Sequence, residues 1–96
     1  MMSDDTRLKR LKFRAWRRGF READLILGPF VDKHAASFSA AQLDELEALL
    51  ENADQDLYEW IVEKEVAPPE ADGEILKSLR LFRDEVYKSL GEDHGG

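Results

Sequence analysis

The sequence has no cysteine, which excludes disulfide staples and thiolate metal sites as the means of holding a small chain together. That lack is compatible with a reducing compartment, and a bacterial cytoplasm is the expected one. Histidine is nearly as scarce: His34 and His94 stand far apart, with no His-x-x-x-His spacing, so no metal site is expected. No serine sits in a glycine-flanked nucleophile elbow. Gly19 has no second glycine close enough to form a phosphate loop or a dinucleotide fingerprint. The acidic clusters DELE (44–47) and DQD (54–56) lack the spacing of a calcium loop and read as solvated helix faces. No apolar run exceeds three residues, as in LIL at 25–27, against the ~20 needed to cross a bilayer. No membrane insertion is expected. No four-residue alternation of apolar and polar residues looks like a strand.

What is present is charge and helical period. The chain has 96 residues, 43% apolar and 36% charged, enough for one domain with one small core. The net charge of −7 is unevenly spread. Residues 1–21 carry eight basic side chains against Asp4 and Asp5, or +6; residues 22–96 carry six basic against nineteen acidic, or −13. An acidic body with one basic face follows. The Arg-rich start resembles an organelle presequence in composition, yet it leads directly into core pattern and leaves little removable sequence before it.

The pattern predicts an all-α, compact single domain of five short helices spanning 1–96, with disordered tails at 1–5 and 91–96. Asp4, Asp5 and Thr6 can cap a first helix, with Leu8, Leu11, Ala15 and Trp16 facing inward. Gly19 ends it, since glycine takes the left-handed conformation after a helix without steric cost. A second helix runs from about Arg21 through Leu25, Ile26, Phe30 and Val31 toward Ala35, and Gly28–Pro29 predicts a kink or short break in it. Ser39 and Gln42 form a capping box ahead of Leu43, Leu46, Leu49 and Leu50. Asp54 or Asp56 caps a fourth helix with Leu57, Trp60 and Ile61 inward. The prolines at 68 and 69 make 64–72 a loop. The last helix carries Ile75, Leu76, Leu79, Phe82, Val86 and Leu90, and Gly91 stops it.

The basic segment RLKRLKFRAWRRGFR interleaves cations with Phe13 and Trp16, a composition that suits nucleic-acid backbones and stacked bases. Binding of an acidic protein surface suits it better, because the −13 body repels phosphate. A nucleic-acid-binding or antitoxin-like regulatory module is therefore the second reading. Within the segment, Arg18, Gly19 and Glu22 form an R-G-x-x-E pattern at a helix boundary. In purely structural terms Gly19 is a C-cap, Glu22 favours the start of the next helix, and Arg18 pairs with Glu22. A rigid turn of this kind also projects polar side chains outward, as docking requires.

Those residues carry a resemblance. RRGFRE with Asp24 close behind, GPF at 28–30, Phe38, the Leu-rich third helix and DQDLYEWI at 54–61 together resemble the FAD assembly factors of succinate dehydrogenase, the SdhE-type flavinylation factors. The match runs over about residues 7–65 in the right order. It implies a five-helix protein that binds the flavoprotein subunit of succinate dehydrogenase or fumarate reductase; a monomer is expected. It further implies that the protein promotes covalent attachment of FAD to that client without being an enzyme and without stably binding FAD itself. Carried over by position, the partner-binding residues are Arg18, Gly19 and Glu22, with Arg17, Arg21 and Asp24 beside them and Trp60 as a further motif residue.

Overall fold

The computed structural model describes residues 4–17, 19 and 21–95. Among them, five helices follow in order: α1 (Asp4–Ala15), α2 (Arg21–His34), α3 (Ala40–Leu50), α4 (Asp54–Ile61) and α5 (Glu74–Gly95), with a 3-10 turn at Ala35–Ser37 between α2 and α3. The expected all-α single domain is what they build. α1 packs on α2 and α3, while α5 lies against α2, α3 and α4. Each helix contributes one apolar stripe to a shared core: Leu11 and Ala15 from α1, Ile26, Leu27, Phe30 and Val31 from α2, Leu46 and Leu50 from α3, Leu57 and Ile61 from α4, and Ile75, Leu76 and Leu79 from α5, all buried. Phe30 meets Phe82 edge to face at 5.7 Å between centroids, a preferred aromatic arrangement.

The capping box forms as its sequence requires. Gln42 N–H donates to Ser39 Oγ at 3.2 Å, and Ser39 N–H donates to Gln42 Oε1 at 2.8 Å. At the fourth helix the expectation fails: Ala53 is the residue before α4 and makes no side-chain cap, while Asp54 and Asp56 lie inside the first turn. There their carboxylates favour the positive end of the helix. The end of α4 closes with a left-handed residue that is not glycine. Glu63 has φ of 62°, and Lys64 N–H reaches back to the Glu59 carbonyl at 2.9 Å, the pattern of a Schellman close. Arg80 Nε and Arg83 Nη1 then donate to the Trp60 and Ile61 carbonyls at 3.1 and 2.7 Å, which ties α5 to the last turn of α4.

Three further expectations need correction. α2 is not broken at Gly28–Pro29; it continues as one helix with Pro29 inside it. The carbonyl deprived of a donor by Pro29 is that of Leu25, an exposed residue, so water can satisfy it. Exposure of Leu25 also removes it from the predicted core. α5 does not stop at Gly91 but runs on to Gly95; glycine costs about 1 kcal/mol in a helix yet keeps its N–H, so the ladder can pass through it. Of the expected tails, residues 1–3 and 96 lie outside the described residues, and Asp4 and Asp5 already belong to α1. The third correction, Trp16, bears on the site.

α5 begins with a cap supplied from a distant helix. Glu45 of α3 accepts a hydrogen bond from Ile75 N–H at 2.6 Å. Its carboxylate also fills the space above Gly73, where a Cβ would lie 2.8 Å from Oε2. A carboxylate on a helix N-terminus satisfies one of the free donors and favours the dipole. Glu45→Ala is therefore expected to lower stability by about 1 kcal/mol, seen as a drop in Tm of ~4–8 °C by circular dichroism. An unchanged Tm would mean that water caps α5 equally well.

Candidate functional site

The R-G-x-x-E stretch forms the corner between α1 and α2. Arg18 lies outside the described residues, so the expected Arg18–Glu22 pairing has no described geometry. Gly19 adopts φ of +102°, a conformation that side chains strongly disfavour. A second reason for glycine lies across the corner: a Cβ at position 19 would stand 2.8 Å from Asp54 Oδ2. The first turn of α4 thus presses a carboxylate against the α1–α2 corner. The two motifs that carry the family resemblance, some thirty-five residues apart in the chain, meet in space.

Around that junction Arg17, Arg21 and Glu22 are exposed and Asp24 is half-buried, with Glu22 and Asp24 in the first turn of α2. Arg17 lays its guanidinium over the Phe13 ring at 4.6 Å. Tyr58 of α4 hydrogen-bonds with Tyr87 of α5, within the field of the Glu22 carboxylate. Burial holds the Tyr58 phenol above its ordinary pKa, a hydrogen bond with Tyr87 raises it further, and the charges of Tyr87 and Glu22 act in the same direction. The neutral phenol is the form favoured in the fold. Its contribution to stability is fully present below the unfolded-state pKa of about 10 and is lost as pH rises through the higher folded-state value. Tyr58→Phe is accordingly expected to remove the most alkaline phase from an absorbance titration of the two tyrosines. Retention of that phase would overturn the assignment to Tyr58.

The sequence marks Asp54 as a cap candidate and motif residue and Tyr58 as a motif residue, and places neither at the corner. The signal was available, because positions four apart share one helix face: if Asp54 points at the corner, so does Tyr58. Tyr87 lies off the apolar stripe of α5 and carried no such signal. Trp16, expected in the core, is 41% exposed. Its indole lies flat on α2 at Gly28, where a Cβ would come within 2.3 Å of the ring, and Nε1 donates to Asp32 Oδ2 at 3.1 Å. Glycine makes a shallow seat on the helix, and a seat covers one side of a ring while leaving the other in solvent. Trp60 is half-buried and packed against the core, so its place in the motif has a structural explanation.

Elsewhere the charges and aromatics serve the fold. Arg7 of α1 bridges to Asp44 and Glu47 of α3. His34 packs tilted against Phe30 and edge to face against Phe82, with ring centroids at 5.1 and 5.9 Å. Among the described residues, no three or more His, Asp or Glu side chains come together as metal ligands. No helix among them is long and apolar enough to cross a membrane.

The fold and its corner define a small helical domain that presents a rigid, charged turn at a junction of three helices. Sequence comparison gives the class its name: the chain belongs to the family described as the flavinator of succinate dehydrogenase, which matches residues 9–83. It is 38% identical over 78 residues to a Drosophila persimilis protein named succinate dehydrogenase assembly factor 2-B, mitochondrial, an alignment covering 79% of this chain and 50% of that protein. To proteins named succinate dehydrogenase assembly factor 2, mitochondrial, it is 35% identical over 92 residues in Candida glabrata and 41% identical over 80 residues in Meyerozyma guilliermondii. These alignments cover 92% and 79% of this chain, and 60% and 59% of the relatives. The chain thus spans about half to three fifths of the length of these relatives. Their names place them in mitochondria, which does not support the bacterial cytoplasm expected above.

Proposed function

We propose that the protein is an assembly factor that binds the flavoprotein subunit of succinate dehydrogenase, or of fumarate reductase, and promotes covalent attachment of FAD to that subunit. The observation that carries this reading is the meeting of the two family motifs, with Asp54 against Gly19 and Tyr58 beside Glu22. Two segments with no covalent reason to be neighbours build one exposed surface. Gly19 allows the backbone of the corner to approach a partner closely. Arg17, Arg18 and Arg21 offer donor forks to client carboxylates or carbonyls, and Glu22 accepts from the client or orients an arginine. Asp24 supports the same turn.

In this reading the protein is not an enzyme. The client's own residues perform the chemistry, FAD remains the client's cofactor rather than one stably held here, and the factor holds the client in a competent geometry. Positioning alone accelerates a reaction without a new reactive group. We place the protein in the bacterial cytoplasm as a monomer, without membrane insertion. Burial of Leu11 and Ala15 supports the view that the Arg-rich segment is part of the working domain.

The test is deletion of the gene followed by in-gel flavin fluorescence of the flavoprotein subunit, a signal that survives denaturation only when FAD is covalently bound. The band should fade on deletion and return with the wild-type gene. A band of unchanged intensity would overturn the assignment. Glu22→Ala should weaken binding to the purified subunit by about 10- to 100-fold, the range for a charge-assisted hydrogen bond at a docking site, as read by interferometry. The exposed cations Lys9, Arg10 and Lys12 keep the nucleic-acid reading as the second one. It requires a mobility shift with DNA or RNA that collapses steeply as salt rises.

A further inference from the structure

We propose that Phe13 and Trp16, together with Arg17, form a second contact patch continuous with the corner, and that its occupant is an acidic surface of the flavoprotein subunit bearing an apolar recess. The inference rests on the client reading above and deepens it. Phe13 is 60% exposed and Trp16 41%, and Leu25 on the adjoining face of α2 is 43% exposed. Phe13 sits in the last turn of α1, and Trp16, just past its end, donates its backbone N–H back to the Lys12 carbonyl at 3.1 Å; the two are three positions apart, a helical neighbour spacing, and Gly19 follows three residues later. The buried stripe of α1 is carried by Leu11 and Ala15, so the core does not require Phe13 there, and the seat of Trp16 leaves one face of its ring in solvent.

The indole is held in place before any partner arrives, and the Phe13 ring stands exposed beside it in the chain. The indole rests on Gly28 and is held by its bond to Asp32. The Phe13 ring is covered on one face by Arg17. Rigid aromatic groups lose little conformational freedom on binding, and Trp and Arg are the residue types that dominate interface energetics. The charge around them selects the occupant. Lys9, Arg10, Lys12, Arg17 and Arg21 are all exposed within the segment of net +6, so the complementary surface is acidic. A phosphate backbone, long and uniformly charged, would run on from this face into a body of net −13. A protein surface need be acidic only locally.

The experiment measures Kd for the purified flavoprotein subunit with the wild-type protein, Phe13→Ala, Phe13→Glu and, as a control, Leu81→Ala, an apolar residue 69% exposed elsewhere. Phe13→Ala is expected to weaken binding at least tenfold and Phe13→Glu further, with thermal unfolding unchanged because the side chain is exposed. Leu81→Ala should stay within twofold of wild type. Covalent flavin in the deletion strain should fall in the same order. Kd values within twofold of wild type for both Phe13 variants would overturn the patch while leaving the client reading standing. Failure of the wild-type protein to bind the subunit would overturn the client reading itself. Equal losses for Leu81→Ala, a wild-type dimer dispersed by Phe13→Glu in sedimentation, or duplex DNA binding lost with Phe13 while subunit binding persists would each reassign the surface and overturn the proposal.

Discussion

Gly19→Arg is expected to abolish restoration of covalent flavin in a deletion strain, with the in-gel signal at least tenfold below that of the wild-type rescue, while the helices remain folded. Two local effects act together. The backbone at position 19 holds φ of +102°, which costs a residue with a side chain on the order of 1–3 kcal/mol. The new Cβ also meets Asp54 Oδ2 at 2.8 Å, so α4 must yield or the corner must reopen. Neither effect touches the leucine-rich core, and a domain of this size typically has roughly 5–15 kcal/mol to lose. The circular dichroism spectrum should therefore be retained and the urea midpoint only lowered. Docking suffers more, because a long side chain on the apex of the corner holds the client away from the backbone. Gly19→Ala separates the parts: it keeps the strain and the Asp54 contact but adds no bulk, and should fall between. Full rescue by Gly19→Arg would remove the corner from the docking surface.

What could be read from the sequence was whatever depends on near neighbours. The capping box of α3 needs only Ser39 and Gln42, and it forms with both of its hydrogen bonds. The apolar stripes of α3 and of α5 from Ile75 to Phe82 follow from period alone; the side chain of Leu90 lies outside the described residues. What could not be read depends on contacts between distant segments. Glu45 looks like one more acid on a helix until Ile75, thirty residues on, is seen to donate to it. The break expected at Pro29 does not occur, and the carbonyl that loses its partner belongs to the exposed Leu25, where water can serve it; sequence does not state which side of a helix will be wet. The left-handed Glu63 had no glycine to announce it. It is sustained by arginines from α5 that bind the end of α4, one of which also pairs with its carboxylate at 2.8 Å.

The candidate site divides along the same line. Gly19 was legible as a turn, and Arg17, Arg21, Glu22 and Asp24 as its charged flank. The role of Asp54 was not, since nothing local ties the first turn of α4 to the corner between α1 and α2. The resemblance to a family supplied both motifs without saying that they touch. Their contact gives the family pattern a physical reason. A glycine is required at the corner both for its φ and for the carboxylate that occupies the space a side chain would take.

Gly28→Ala tests the same kind of argument where its sign is unusual. In the interior of a helix, replacing glycine by alanine normally stabilises by about 1 kcal/mol. Here the added methyl would lie 2.3 Å from two carbons of the Trp16 ring, and no small shift relieves so short a contact. The indole must leave its seat, giving up its bond to Asp32, worth about 1 kcal/mol. It also loses the cover on one face, on the order of 100 Å² and so about 2–3 kcal/mol at ~25 cal/mol per Å². The losses exceed the gain in helix propensity, and a net destabilisation of about 2–3 kcal/mol is expected from urea melts. In a Trp16→Ala background the seat is empty and only propensity remains, so the same substitution should stabilise by about 1 kcal/mol. This reversal of sign, a coupling of about 3–4 kcal/mol between residues in different elements, is the result a double-mutant cycle would read. If Gly28→Ala stabilises both backgrounds equally, the indole does not rest on α2. The rigid anchor on which the second contact patch depends is then lost with it.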